Sequence, residues 1–251
     1  MLELVSALQH LGIHAVDGDL GKVVDILFDD ESWSARYFVV ETGGWLSRRR
    51  VLISPIAVQQ VDERARTASV GLTRAQLADS PSVDTEMPLS RQMELKYRDY
   101  FSWPLYWVDT YLEAYSYDAY PRLAAAENAV RSGREPRKEP LLLGPPKGDP
   151  HLRSAAKVLG YAVMAIDGHA GDLQDLIVDT DGWTIRSLVV RASHRGQQVI
   201  VLVPPDRVRD VNWATSIVHV NASRREIRQS PSFEPAKRAI PLSGRSPDPR
   251  R

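Results

Sequence analysis

The chain has 251 residues and no cysteine, which excludes a disulfide-stapled secreted domain and any metal site built on thiolates. With 43% apolar and 25% charged residues it is neither disordered throughout nor a membrane bundle. Lys+Arg and Asp+Glu both number 32, and a net charge of zero argues against a general polyanion binder.

The segment Met1-Leu2-Glu3-Leu4-Val5 has no basic region and no long apolar core, so it does not read as a signal peptide. No run approaches the roughly 18–20 apolar residues that cross a bilayer. We therefore expect no membrane insertion and a cytoplasmic location. Asp17-Gly18 then reads as a turn dipeptide between apolar stretches, and Gly21 as a bulge or tight bend into the next strand. Short β-branched runs predict strands over 23–28, 36–41, 50–53, 57–61 and 68–72. Pro55 closes the third, because it cannot donate to a ladder. Trp33 precedes a strand and reads as an indole covering one end of the core, with Asp29 and Arg36 as a cross-turn ion pair nearby. Asp25 alternates with apolar neighbours, which predicts a solvent-facing strand position. Thr73 is placed to cap a short helix over 73–77.

The same signals return 150 residues later. Asp17, Gly18, Gly21, Trp33, Arg36 and Pro55 recur as Asp167, Gly168, Gly171, Trp183, Arg186 and Pro205. Between residues 14 and 82 this shift gives 20 identities in 69 positions without a gap, which chance does not supply. Two copies point to paired small domains, since a solenoid needs three or more units. Strands at 8–12-residue spacing predict a barrel or sandwich in each copy, and Ser223 caps a second short helix over 223–227.

Residues 86–120 differ from both copies. Tyr97, Tyr100, Phe101, Trp103, Tyr106, Trp107 and Tyr111 open a cluster holding 10 of the 19 aromatics. Ser90 is placed to cap a helix from 91 to about 101, on which Met93, Tyr97, Tyr100 and Phe101 form one apolar stripe. The cluster has three readings: a clasp packed against the barrels, a protein–protein or self-association patch, or a stacking surface for single strands or a ring-shaped ligand. Interleaved Lys96, Arg98 and Asp99 do not make a basic groove, which weighs against the last. Residues 121–150 hold six prolines and read as a semi-extended linker. The stretch from 234 to 251 reads as a disordered tail.

Catalytic sets are missing from the pattern. There is no thiol nucleophile, and His10, His14, His151, His169, His194 and His219 show no metal-ligand spacing. Asp17, Asp25 and Asp29 match no calcium loop. No Gly-rich phosphate loop opens a helix. We expect a protein that is not an enzyme and carries no cofactor.

The second copy, through Leu152-Arg153-Ser154, Val158, Gly160-Tyr161, Ala165, Asp167-Gly168, Gly171, Asp175, Asp179, Trp183, Arg186, Val189-Val190, Val201, Pro205 and Val208, resembles a PRC-barrel domain. Copy one keeps the later half of this pattern but has Leu2-Glu3-Leu4 in place of Leu152-Arg153-Ser154. The family takes its name from the cytoplasmic part of the photosynthetic reaction-centre H subunit, and it includes the C-terminal half of the ribosome-maturation factor RimM. The resemblance implies a small docking barrel with no family catalytic residues.

The expected fold is mainly β. Two PRC-type barrels related by internal duplication occupy 1–85 and 151–233. The aromatic helical connector (86–120) and the Pro-rich linker (121–150) join them. The expected role is a scaffold or adaptor for a protein partner. An RNA- or ribosome-associated factor and a reaction-centre-associated protein are the alternatives. The zero net charge is itself a cancellation: residues 1–90 carry 8 basic and 13 acidic groups, and residues 151–251 carry 15 and 10.

Overall fold

The computed structural model describes residues 1–80 apart from Ser47, Glu63 and Arg64, residues 100–101, and residues 151–233 apart from Arg195 and Gly196. The linker, the tail, and Tyr97, Trp103, Tyr106, Trp107 and Tyr111 lie outside the described residues.

Among the described residues the architecture is mainly β, with 14 strands and a few short helices. The N-terminal half runs β1 (Leu2–Leu4), α1 (Val5–Leu8), β2 (Gly12–Ala15), β3 (Gly18–Asp29) and β4 (Ser34–Thr42). It continues with β5 (Arg50–Ile53), β6 (Val58–Asp62), β7 (Thr67–Val70) and α2 (Arg74–Ala78). The C-terminal half repeats this order as β8 (Leu152–Ser154), α3 (Ala155–Val158), β9 (Ala162–Ala165), β10 (Gly168–Asp179) and β11 (Thr184–His194). Then come β12 (Gln197–Val203), β13 (Val208–Asn212), β14 (Ile217–Val220) and α4 (Arg224–Gln229). In each half the first and last hairpins meet through a parallel pair, β2 with β7 and β9 with β14. The other pairings are antiparallel.

Local chemistry explains the turns. Gly21 has φ +155, and a Cβ there would lie 2.0 Å from the Glu41 carbonyl oxygen on the neighbouring strand. Gly171 has φ +153, and its Cβ would lie 2.1 Å from the Arg191 oxygen. Each sits beside a register shift against the preceding strand, so the bulge reading of these glycines stands. The turn aspartates do more than turn. Asp17 accepts the Arg74 amide at 2.8 Å and Asp167 the Arg224 amide at 2.7 Å, which ties each first hairpin to its closing helix. Thr73 with Gln76, and Ser223 with Glu226, close reciprocal capping boxes on α2 and α4. Pro55 and Pro205 each open a short 3-10 turn after the strand.

The halves share one sheet. β4 meets β11 at Ser34 and Thr184, and the short N-terminal strands are exchanged. β1 pairs antiparallel with β10 of the other half, and β8 pairs with β3. The reason is visible along β3. β2 covers only its start, over Gly18–Lys22, and β8 covers the edge left open at Leu27–Asp29. One cluster of buried apolar side chains runs through both halves, from Val5 and Leu20 to Leu173, Leu188 and Ile227. No helix among the described residues is long and apolar enough to cross a membrane.

Candidate functional site at the junction of the halves

The junction is built from two arms, β1–α1 and β8–α3, each docked on the opposite half. Its registers are related by the same shift of 150 that relates the sequences. Leu2, Glu3 and Leu4 stand opposite Asp179, Val178 and Ile177, while Leu152, Arg153 and Ser154 stand opposite Asp29, Phe28 and Leu27. Backbone bonds continue each ladder: the Asp30 amide donates to the His151 oxygen at 2.9 Å, and the Thr180 amide to the Met1 oxygen at 2.7 Å.

Each four-residue helix of an arm is too short to be stable alone. A carboxylate from the other half supplies what it lacks. Asp25 accepts the Ala156 amide at 2.9 Å and the Ser154 hydroxyl, as well as its own neighbour's Ile26 amide. Asp175 accepts the Ser6 amide at 3.2 Å and the Ser6 hydroxyl, with the Leu176 amide beside it. The expectation that Asp25 faces solvent is therefore wrong. A bulge between Val23 and Asp25 breaks the alternation on which it rested and turns the carboxyl onto the foreign arm. Burial pushes the Asp25 carboxyl above the ordinary aspartate range, against the opposing pull of the Ser154 hydroxyl and the two amides.

The tryptophans also belong to the junction. Trp33 and Trp183 have φ of 57 and 50, the left-handed region that bulky residues avoid. This conformation leaves the Trp33 oxygen accepting the Ile185 amide and the Trp183 oxygen accepting the Ala35 amide, both at 2.7 Å. Both indoles are buried. Trp33 stacks on Phe28 at 5.7 Å, and Trp183 meets Phe38 of the other half edge-on at 4.8 Å. They join the halves rather than cover a barrel end. The turn ion pair expected at Asp179 and Arg186 forms at 3.0 Å. In the first half Asp29 instead accepts the Glu31 and Ser32 amides, and Arg36 donates to the Ser32 hydroxyl at 3.0 Å.

Sequence reasoning missed three residues. Arg153 Nε lies 2.7 Å from one oxygen of Asp30, and His151 Nδ1 lies 3.0 Å from the other. The Asp30 side chain is only 7% exposed, and burial raises its pKa against the hydrogen bond from His151 and the charge of Arg153. The one available signal was the change of Leu2-Glu3-Leu4 to Leu152-Arg153-Ser154 between copies.

Of the aromatic connector, two members are described. Phe101 is partly buried and packs against a small apolar cluster of Tyr37, Val39 and Leu52 on the outer side of β4 and β5. Tyr100 meets Phe101 edge-on at 4.7 Å and is 41% exposed. Among the described residues no group of three or more histidine, aspartate or glutamate side chains is arranged to hold a metal ion.

Comparison with known proteins agrees with part of this picture. The family model of the PRC-barrel domain matches residues 13–73, so a PRC-barrel domain occupies most of the N-terminal half. A stretch of 81 residues is 33% identical to an uncharacterized protein of Deinococcus radiodurans. That match covers 32% of this chain and 29% of the relative, so the chain spans under a third of that protein's length.

Proposed function

We propose that the chain is a non-catalytic docking scaffold in which residues 151–233 form a second, duplicated PRC-type barrel. The observation that carries this reading is the PRC-barrel domain at 13–73, whose turn and core signals specify architecture rather than chemistry. The recurrence of the same element order at a shift of 150 supports the duplication. The use of Asp25 to hold a backbone amide, repeated by Asp175, supports a structural role for that member of the Asp17, Asp25 and Asp29 set. The partner is a protein, and it meets the chain at the aromatic connector around Tyr100. Exposed tyrosine beside a packed phenylalanine is the composition that protein interfaces favour.

A photo-crosslinking amino acid placed at Tyr100 of the full chain tests this in native lysate. The expected result is a discrete protein adduct that excess unlabelled chain competes away. The control position is Arg209, whose side chain is 59% exposed on β13. Equal labelling from both positions would defeat the proposal. Salt-sensitive co-sedimentation with ribosomal particles would favour the RNA-linked reading instead.

A further inference from the structure

We infer that the exchanged arms select their partner: the acidic turn of the N-terminal half and the basic arm of the C-terminal half make unlike halves pair and exclude pairing of the N-terminal half with its own kind from a second copy of the chain. The backbone does not make this choice. Both arms dock in the same register, and both acceptor strands offer the same carboxylate, Asp25 or Asp175, to an arm hydroxyl and amide. Ser6 of a second copy would therefore suit Asp25 as well as the arm that now occupies it. Homotypic pairing is open to the backbone.

Side chains at three repeat positions break the symmetry. Asp30 corresponds to Thr180, Arg153 to Glu3, and His151 to Met1. In the observed pairing, Arg153 and His151 take the two oxygens of Asp30 at 2.7 and 3.0 Å, with the Arg153 side chain 15% exposed. Pairing two N-terminal halves would set Glu3 against Asp30, carboxylate on buried carboxylate. Pairing two C-terminal halves would forfeit the Asp30 contacts and set Arg153 against Thr180, beside Asp179 and Asp181, the carboxylates that the Met1 amine now holds at 3.0 and 2.8 Å, so no like charge opposes it there. Like charges brought together at a buried site cost an interface several kcal/mol and so refuse that partner. The opposite balances of residues 1–90 and 151–251 act in the same direction at longer range.

The second junction already shows a tolerated alternative composition, threonine with glutamate. D30T and R153E in the full chain therefore form a direct test. Each single variant should lower Tm by about 5–10 °C, and the double variant should recover most of that loss. Independent, additive losses would overturn the proposal. Partner choice is read separately, because the chain has no cysteine of its own. L4C with I177C joins residues that face each other in the observed pairing and should close within one chain. L4C with L27C can close only between two N-terminal halves. On non-reducing gels this second pair should give no dimer in the parent chain, and a concentration-dependent dimer in the D30T/R153E background. Equal dimer formation in both backgrounds would overturn the proposal.

Discussion

Asp25 shows how much one carboxylate can hold. It joins its own strand to the first turn of a helix more than a hundred residues away, through a hydroxyl and two amides. Asp25→Ala leaves the Ala156 amide and the Ser154 hydroxyl without that acceptor, and should cost about 2–3 kcal/mol by denaturant unfolding. Asp25→Asn keeps an acceptor oxygen and should cost less. Wild type and Asp25→Asn also separate in pH. Burial raises the folded pKa of Asp25, so its protonated form is favoured by folding. That contribution is complete below the ordinary aspartate range and is lost as pH rises through the raised value. Wild type should therefore gain on Asp25→Asn as pH falls through this window. A stability difference between the two that is flat with pH would show that burial does not act on this group.

At the scale of elements, the glycine bulges fix where each long strand turns. Gly171→Ala drives a Cβ to 2.1 Å from the Arg191 oxygen, in a backbone conformation that L side chains rarely adopt. It should destabilise by about 3 kcal/mol or more. Gly44→Ala is the control: a Cβ there meets nothing within 4 Å, and the change should stay within about 0.5 kcal/mol. Thermal melts of the two variants side by side check the contrast. These bulges were legible in the sequence, as were the capped closing helices, because glycine at a turn and Thr or Ser three residues before Gln or Glu are local signals. The arms were not. Three extended residues followed by one helical turn leave no period to read, and their partners lie in the other half. Asp25 was misjudged for a related reason, since one inserted residue reverses an argument from alternation. The site at Asp30 was hidden because only one of the two copies carries it.

On the scale of the whole molecule, a shared core has a thermodynamic signature. One apolar cluster and one sheet run through both halves, and each half completes an edge of the other. Calorimetry should therefore show one transition whose calorimetric and van't Hoff enthalpies agree. Two resolved transitions would mean that the halves melt separately and that the exchanged arms carry little of the stability.

The exchange of arms also sets an order of events during synthesis. β1 is made well before β10, and its place there exists only once residues 177–179 have emerged. At cellular elongation rates of roughly 5–20 residues per second, Leu2, Leu4, Val5 and Leu8 wait on the order of ten seconds or more for their site. The opposite arm has no such delay, because β3 is already made when β8 leaves the ribosome. Of the two junctions, the newborn chain therefore closes the one around β1 last, although that arm is the earlier made.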